Sequence, residues 1–222
     1  MGSDFFEGKT YKGKHFKGLD PSYYPIEFQQ YIAEETELLK KHLQGAERVL
    51  DAGIGTGRII SSIAPLVREL VGVDNAEFML HQARERAKEF KNVKIIKGNV
   101  ENLSKLFPRN YFSHAICIWN TLGNVKDERK VLEQIAKVTN GDICITVFHK
   151  GTIQQRKVFY KKVDVEVEKI DAKTETFFLK GYESRAYSYS DLAKIASDVE
   201  LKITEHSFLG GGIILWAVLR RT

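Results

Sequence analysis

Cysteine, proline and long apolar runs are all scarce in this 222-residue chain, and each scarcity excludes something. Its two cysteines, Cys117 and Cys144, lie inside apolar, strand-like runs. That argues against a disulfide framework and for buried thiols in a reducing, cytoplasmic setting. The six histidines are scattered, and none stands at a metal-ligand spacing from a cysteine, so no metal is expected. No apolar run approaches the ~18 residues of a membrane helix. The first residues lack the apolar stretch of a secretory signal. They open as Met1-Gly2-Ser3, but Phe6 stands where a myristoylation site needs Ser or Thr, so no membrane attachment is expected. The four prolines act locally: Pro21 and Pro25 break up the N-terminal segment, and Pro65 ends a helix. No internal repeat or low-complexity tract is visible.

What is present suits a single α/β domain with additions. Hydrophobic residues make up 43% and charged residues 28%, enough for a substantial core under a soluble surface. A net charge of +5 permits a nucleic-acid partner without requiring one. The chain reads as one domain, 1–222. Residues 1–44 form a cap segment, rich in lysine and aromatics, followed by an amphipathic helix (Ile26, Phe28, Tyr31, Ile32, Glu35, Leu38, Leu39, Leu43) that ends at Gly45. Residues 45–150 alternate strand and helix signals, the pattern of a parallel sheet covered on both faces. Expected strands are 47–51, 69–73, 93–96, 113–119 and 142–148, with helices at 76–90 and 126–139 between them. Residues 151–189 alternate polar and apolar side chains, which predicts a small antiparallel insert with one wet face. Residues 190–222 close the chain with a short helix, N-capped by Ser190, and two strands joined at Gly210-Gly211-Gly212.

The centre of the sequence is residues 49–58, VLDAGIGTGR. An apolar pair leads into Asp51, then Gly53, Gly55 and Gly57 recur at every second position before another apolar pair. This is a buried strand, a tight glycine turn and a helix start. Glycine is needed where φ is positive or where a ligand approaches closer than a Cβ permits. Dinucleotide turns read G-x-G-x-x-G and seat a pyrophosphate on a helix N-terminus. Here Arg58 replaces the third such glycine, and Asp51 would repel phosphate. A ligand with a cationic group and no phosphate fits better; a glycine turn with no ligand is the alternative.

This stretch resembles motif I of the class I S-adenosylmethionine-dependent methyltransferases. The resemblance covers residues 45–150 well and 190–222 in outline. It implies a Rossmann-like sheet of seven mostly parallel strands with an antiparallel last strand, helices on both faces, and S-adenosylmethionine as methyl donor. It also implies site residues. Asp51, Gly53, Gly55 and Gly57 wrap the methionine end. Asp74, with Asn75 beside it, ends strand two where the family holds the ribose diol; the other reading is a strand-end Asp capping the next helix. Asn99 stands where the family commonly has an Asp on the adenine amino group, and its side-chain oxygen can accept the same bond. The backbone of Val100 faces the ring. Asn120, in the turn after strand four, borders the transferred methyl; alternatively it and Asn124 satisfy turn backbone. That turn lacks the N-P-P-aromatic signature of nucleobase amino methyltransferases.

His149, past strand five, is a candidate general base, since an imidazole pKa of ~6.5 suits neutral pH; a polar strand end is the plainer reading. Tyr23, Tyr24, Arg185 and Tyr187 are candidate substrate contacts, or packing residues. The expected activity is methyl transfer to N or O of a small molecule. An RNA or protein methyltransferase, and a non-catalytic binder of S-adenosylmethionine or S-adenosylhomocysteine, are the alternatives.

Overall fold

A computed structural model describes residues 17–222. The lysine-rich opening, with Phe5, Phe6, Tyr11 and Phe16, lies outside the described residues. Two short 3-10 turns precede α1 (Ile26–Leu43), and then β1 (Arg48–Ala52), α2 (Ile60–Ile63), β2 (Glu69–Asp74), α3 (Glu77–Ala87) and β3 (Val93–Lys97) follow. After a 3-10 segment at Val100–Lys105 come β4 (His114–Cys117), α4 (Thr121–Asn124), α5 (Glu128–Val138) and β5 (Ile143–His149). The insert holds α6 (Ile153–Lys162), β6 (Val167–Asp171), β7 (Thr176–Leu179) and β8 (Tyr182–Ser184). The chain then forms β9 (Ala186–Tyr187), α7 (Tyr189–Ser197), β10 (Leu201–Leu209) and β11 (Ile214–Arg221).

The main sheet runs β10-β11-β5-β4-β1-β2-β3, with the short β9 added on β5. β1 to β5 are mutually parallel, while β11 is antiparallel to both β5 and β10. The path is the expected seven-stranded Rossmann-like sheet. Alternate residues along the strands feed two cores. Val49, Leu70, Ile116, Cys144 and Trp216 face one side, with Phe28, Tyr31 and Leu39 of α1. Leu50, Val71, Ala115, Ile145 and Leu215 face the other, with Leu132 and Ile135 of α5 and Leu192 of α7. β5 is buried at every residue but His149 because helices cover both its faces, whereas β3 at the edge has no fully buried residue. Consecutive strands lead outward from β1 to β3, and then the chain returns to the other side of β1 with β4. That reversal is a topological switch point, and it opens a crevice at the carboxyl ends of β1 and β4.

The structure corrects three local expectations. Residues 153–162 are helix, not strand. Arg156, Phe159, Tyr160 and Val163 share one buried helical face, and period-2 alternation begins only near Val165. α7 starts at Tyr189 with Ser188, not Ser190, as its cap. The Ser188 hydroxyl accepts from Asp191 N–H, and Asp191 reciprocates to Ser188 N–H, a complete capping box. β4 ends at Cys117 rather than Trp119, because Trp119 and Asn120 both take left-handed backbone (φ 56° and 57°). Among the described residues, no helix is long and apolar enough to cross a membrane.

Candidate functional site

The glycine turn follows β1 directly. Gly53, Gly55 and Gly57 all have positive φ (89°, 54° and 74°), a conformation that costs a residue with a Cβ roughly 1–2 kcal/mol. They differ in what surrounds them. A Cβ on Gly53 would strike the Thr121 side chain at 2.5 Å, and one on Gly57 would strike Ile60 at 2.4 Å. At Gly55 a Cβ would meet nothing within 4 Å. The outer two glycines are therefore crowded by side chains, and Gly55 faces open space. Asp74 ties the turn to the neighbouring strand: its Oδ2 accepts from Gly55 N–H (2.9 Å) and its Oδ1 from Ala76 N–H (2.9 Å), just ahead of α3. Gly72, earlier in β2, lets Ile54 lie against the strand, where a Cβ would come within 2.2 Å of Ile54.

Asp51 is the unusual charge. It is 1% exposed, and its Oδ1 has no hydrogen-bond partner among the described residues. Burial pushes its carboxyl up to about 8; Arg58 pulls it back, while Asp74 and Glu35 reinforce the rise. An unpaired buried carboxyl oxygen is costly to leave unsatisfied. Beside an open glycine turn, it fits a ligand that brings its own cation. Together, the orphaned oxygen and the space at Gly55 match the methionine end of S-adenosylmethionine.

A polar network links the turn to the N-terminal helix. Glu35 in α1 is fully buried. Its carboxylate accepts from Tyr31 Oη (2.5 Å), from Thr146 Oγ1 (2.7 Å) and from the Arg58 guanidinium. Thr146 in turn accepts from Trp119 N–H (2.9 Å). The Trp119 ring is stacked between Tyr24 and Tyr31, each 5.4 Å away. Phe159 meets Tyr24 and Trp119 edge-on and stacks on Phe28 at 4.3 Å. This aromatic layer covers the carboxyl ends of β4 and β5. Glu35 and Trp119 carry no motif. The available signal was a carboxylate within the apolar stripe of α1, a position that in a folded helix demands a buried partner.

The turn after β4 is held from several sides. Asn120 is 2% exposed; its Oδ1 accepts from Phe148 N–H (3.0 Å), and its Nδ2 donates to Asn124 (3.2 Å) and to Ser184 Oγ (3.1 Å). The Tyr187 hydroxyl donates to Leu122 O (3.3 Å), and Arg185 donates to Val125 O and pairs with Glu128 (3.2 Å). Arg185 and Tyr187 thus serve the turn's backbone. His149 ends β5, with its Nδ1 3.2 Å from Gly212 O. Tyr24 is buried and donates to Gly18 O (2.6 Å), whereas Tyr23 is 40% exposed. Asn75 is exposed at the end of β2. Asn99 follows β3, and its Oδ1 caps the next turn by accepting from Glu101 N–H (2.8 Å); Val100 is buried behind it. The fold therefore gathers Asp51, the glycines, Asp74, Asn75, Asn99 and Val100 at the ends of β1 to β3. Asn120 and His149 stand at the adjoining ends of β4 and β5.

Comparison with known proteins agrees with this geometry. A family profile described as a methyltransferase domain matches residues 49–142, from the glycine turn to the start of β5. A ubiquinone/menaquinone biosynthesis C-methyltransferase of Coxiella burnetii (strain CbuK_Q154) is 28% identical over 186 residues, 78% of this chain and 73% of the relative. Its counterpart in strain Dugway 5J108-111 is 32% identical over 126 residues, so the chain spans 49% of that relative's length. Among solved structures, the 1,6-didemethyltoxoflavin-N1-methyltransferase of Burkholderia thailandensis, with S-adenosylhomocysteine bound, superposes with a TM-score of 0.70 at 18% identity. That match covers 99% of this chain and 86% of the other. It is a likeness of fold.

Proposed function

The chain belongs to the class I S-adenosylmethionine-dependent methyltransferases, and from that premise we propose that its acceptor is a small molecule methylated at nitrogen or oxygen. The observation that supports this reading is the closed aromatic cover over β4 and β5. Tyr24 and Phe28 come from the N-terminal segment, Trp119 from the turn and Phe159 from the insert, and all but Trp119 are buried. Such a cover suits a compact, planar guest better than a polymer groove. The Coxiella relative is named a C-methyltransferase of ubiquinone and menaquinone biosynthesis and the Burkholderia fold neighbour an N-methyltransferase of 1,6-didemethyltoxoflavin; both names support a small acceptor, and the second a nitrogen.

S-adenosylmethionine supplies a methyl group already activated on a sulfonium. What remains for the chain is to bind, orient and exclude water, and positioning of this kind contributes up to about 7–11 kcal/mol. We assign Asp51 to the α-ammonium, the turn at Gly53, Gly55 and Gly57 to the methionine backbone, and Asp74 with Asn75 to the ribose hydroxyls. Asn99 and Val100 border the adenine. Asn120 fixes the wall nearest the methyl group, and Arg185 and Tyr187 act on the acceptor through the turn they hold. Tyr23 and Tyr24 line its approach. His149 takes a proton where the acceptor arrives protonated.

The test incubates the protein with methyl-labelled S-adenosylmethionine and three acceptor pools: small amines and phenols, total RNA, and total protein. Label is expected in the small-molecule pool. Label confined to RNA or protein would overturn the acceptor class. In parallel, Asp74→Ala should abolish S-adenosylhomocysteine binding by calorimetry, and unchanged binding would sink the site assignment.

A further inference from the structure

Thr146 supplies the one hydroxyl in β5, and it is fully buried. Valine would fill the same space in this apolar strand, so the hydroxyl answers to something other than packing. Its contacts say what. Thr146 Oγ1 donates its single proton to Glu35 Oε1 (2.7 Å) and accepts from Trp119 N–H (2.9 Å). The buried carboxylate, neutralised by Arg58, thus fixes which way the hydroxyl turns and leaves a lone pair aimed at the Trp119 amide. The backbone of the same residue continues the grip, since Thr146 O accepts from Asn120 N–H (3.0 Å). One residue of β5 therefore holds two successive amides of the turn after β4.

That turn is one that needs holding. The β4–β5 pairing ends at Cys117 and Ile145. Trp119 and Asn120 then both take left-handed backbone, at φ 56° and 57°. Asparagine tolerates this conformation, but a residue as bulky as tryptophan persists in it only where its surroundings over-determine it. Asn120 has further support from Phe148 N–H, Asn124 and Ser184 through its side chain. The Trp119 backbone rests on the Thr146 hydroxyl, and its half-buried ring enters the layer between Tyr24 and Tyr31. We propose that Thr146 is a positioning residue for the acceptor end of the site. Its hydroxyl, oriented by Glu35, locks Trp119 into the left-handed turn and so sets the aromatic wall against which the acceptor is placed. The cofactor end, built on β1 to β3, does not depend on it. This rests on the acceptor reading of the aromatic cover and adds a residue to it that no motif marks. Helix α1 reaches the acceptor end through Glu35 by the same route.

Two substitutions separate the hydroxyl from the shape. Thr146→Val keeps the shape and removes the hydroxyl, and Thr146→Ser keeps the hydroxyl. Thermal melting establishes that each is folded. Iodide quenching of tryptophan fluorescence reads Trp119, because the other tryptophan, Trp216, is fully buried. Calorimetry with S-adenosylhomocysteine reads the cofactor end. Methyl transfer from saturating labelled S-adenosylmethionine into the pool of amines and phenols reads the acceptor end. In Thr146→Val the quenching constant is expected to rise about twofold or more and transfer to fall about tenfold or more, with S-adenosylhomocysteine affinity within about threefold of wild type. Thr146→Ser should restore both quenching and transfer. Unchanged quenching in Thr146→Val, a loss of cofactor affinity as large as the loss of transfer, or no rescue by serine would overturn the proposal. If Thr146→Val does not fold, hydrogen exchange at the Trp119 amide of the wild type decides: protection like that of the β5 amides upholds the hydroxyl's grip, and free exchange overturns it. Wild-type protein that labels nothing in the pool would fail the acceptor reading alone, and the quenching and affinity results would still uphold or overturn the placing of Trp119.

Discussion

At the residue scale, the site is set by a few charges placed where water cannot reach them. Asp51 is the clearest. Burial raises its carboxyl to about 8, against ~3.9 for an unfolded Asp. The folded state therefore binds a proton that the unfolded state has already lost. The contribution to stability is fully present below about pH 4 and disappears as pH rises through about 8. A bound ammonium reverses this by holding the carboxylate ionised, so binding releases a proton. S-adenosylhomocysteine should accordingly bind more tightly as pH rises from about 5.5 to about 7.5, by up to about tenfold per pH unit. Calorimetry in Asp51→Asn should give a flat profile; a flat profile in wild type would remove Asp51 from the ammonium. Asp51 was legible from sequence because it precedes a glycine turn. Its protonation was not, because it follows from burial in the assembled sheet and from charges, Arg58, Asp74 and Glu35, that come from three separate elements.

At the scale of elements, the joint between α1 and the β10–β11 turn is narrow, and glycine makes it so. Gly210 has φ 59°, and a Cβ there would come within 2.5 Å of Glu27 O and 2.8 Å of Tyr31 Cβ. Its N–H donates to Glu34 Oε2 at 2.7 Å. Gly211 has a similar φ of 67° but nothing within 4 Å of such a Cβ. Both alanine variants carry the left-handed penalty of roughly 1–2 kcal/mol. Gly210→Ala adds a clash with backbone and with the base of Tyr31, so its loss should exceed that of Gly211→Ala by about 1–3 kcal/mol. Denaturant midpoints of the two variants would show it; equal losses would mean that α1 does not press on this turn. The hairpin itself was readable from three consecutive glycines between two apolar runs. Which of the three was spatially required was not, because the contact lies in α1, far away in sequence. α6 shows the opposite case. Its local alternation mimicked a strand, and only the shared burial of Arg156, Phe159, Tyr160 and Val163 reveals the helical period.

At the scale of the whole molecule, the insert is knit together by a buried cation that reaches the core only at the Phe148 ring. Arg156 has no exposed surface; its guanidinium donates to Glu175 O (2.7 Å), Ser184 O (2.6 Å) and Ser184 Oγ (3.1 Å), between the rings of Phe148 and Phe177. Ser184 Oγ also meets Tyr160 Oη (2.8 Å) and Asn120 Nδ2 (3.1 Å). One hydroxyl thus connects the insert to the turn that edges the proposed methyl position. Arg156→Leu would keep much of the volume while leaving two buried carbonyls without donors. The expected cost is about 2–6 kcal/mol, at roughly 1–3 kcal/mol per stranded group. Limited proteolysis should then cut faster within residues 167–184. Unchanged melting and unchanged cleavage would show that the insert is held by its apolar contacts instead.

What the sequence determined by itself was local. Alternating strands and helices, the glycine turn after β1 and the carboxylate after β2 sufficed for the fold class and, through the family resemblance they carry, for the cofactor, because each is written in contiguous residues. The tertiary structure alone decided which charges are buried together. Glu35, Arg58, Thr146 and Trp119 meet although they come from α1, the glycine turn, β5 and the turn after β4. Periodicity reports which face of an element is apolar. The pairing of buried charges depends on which faces meet, and that is settled only when the sheet is assembled and its crevice closed.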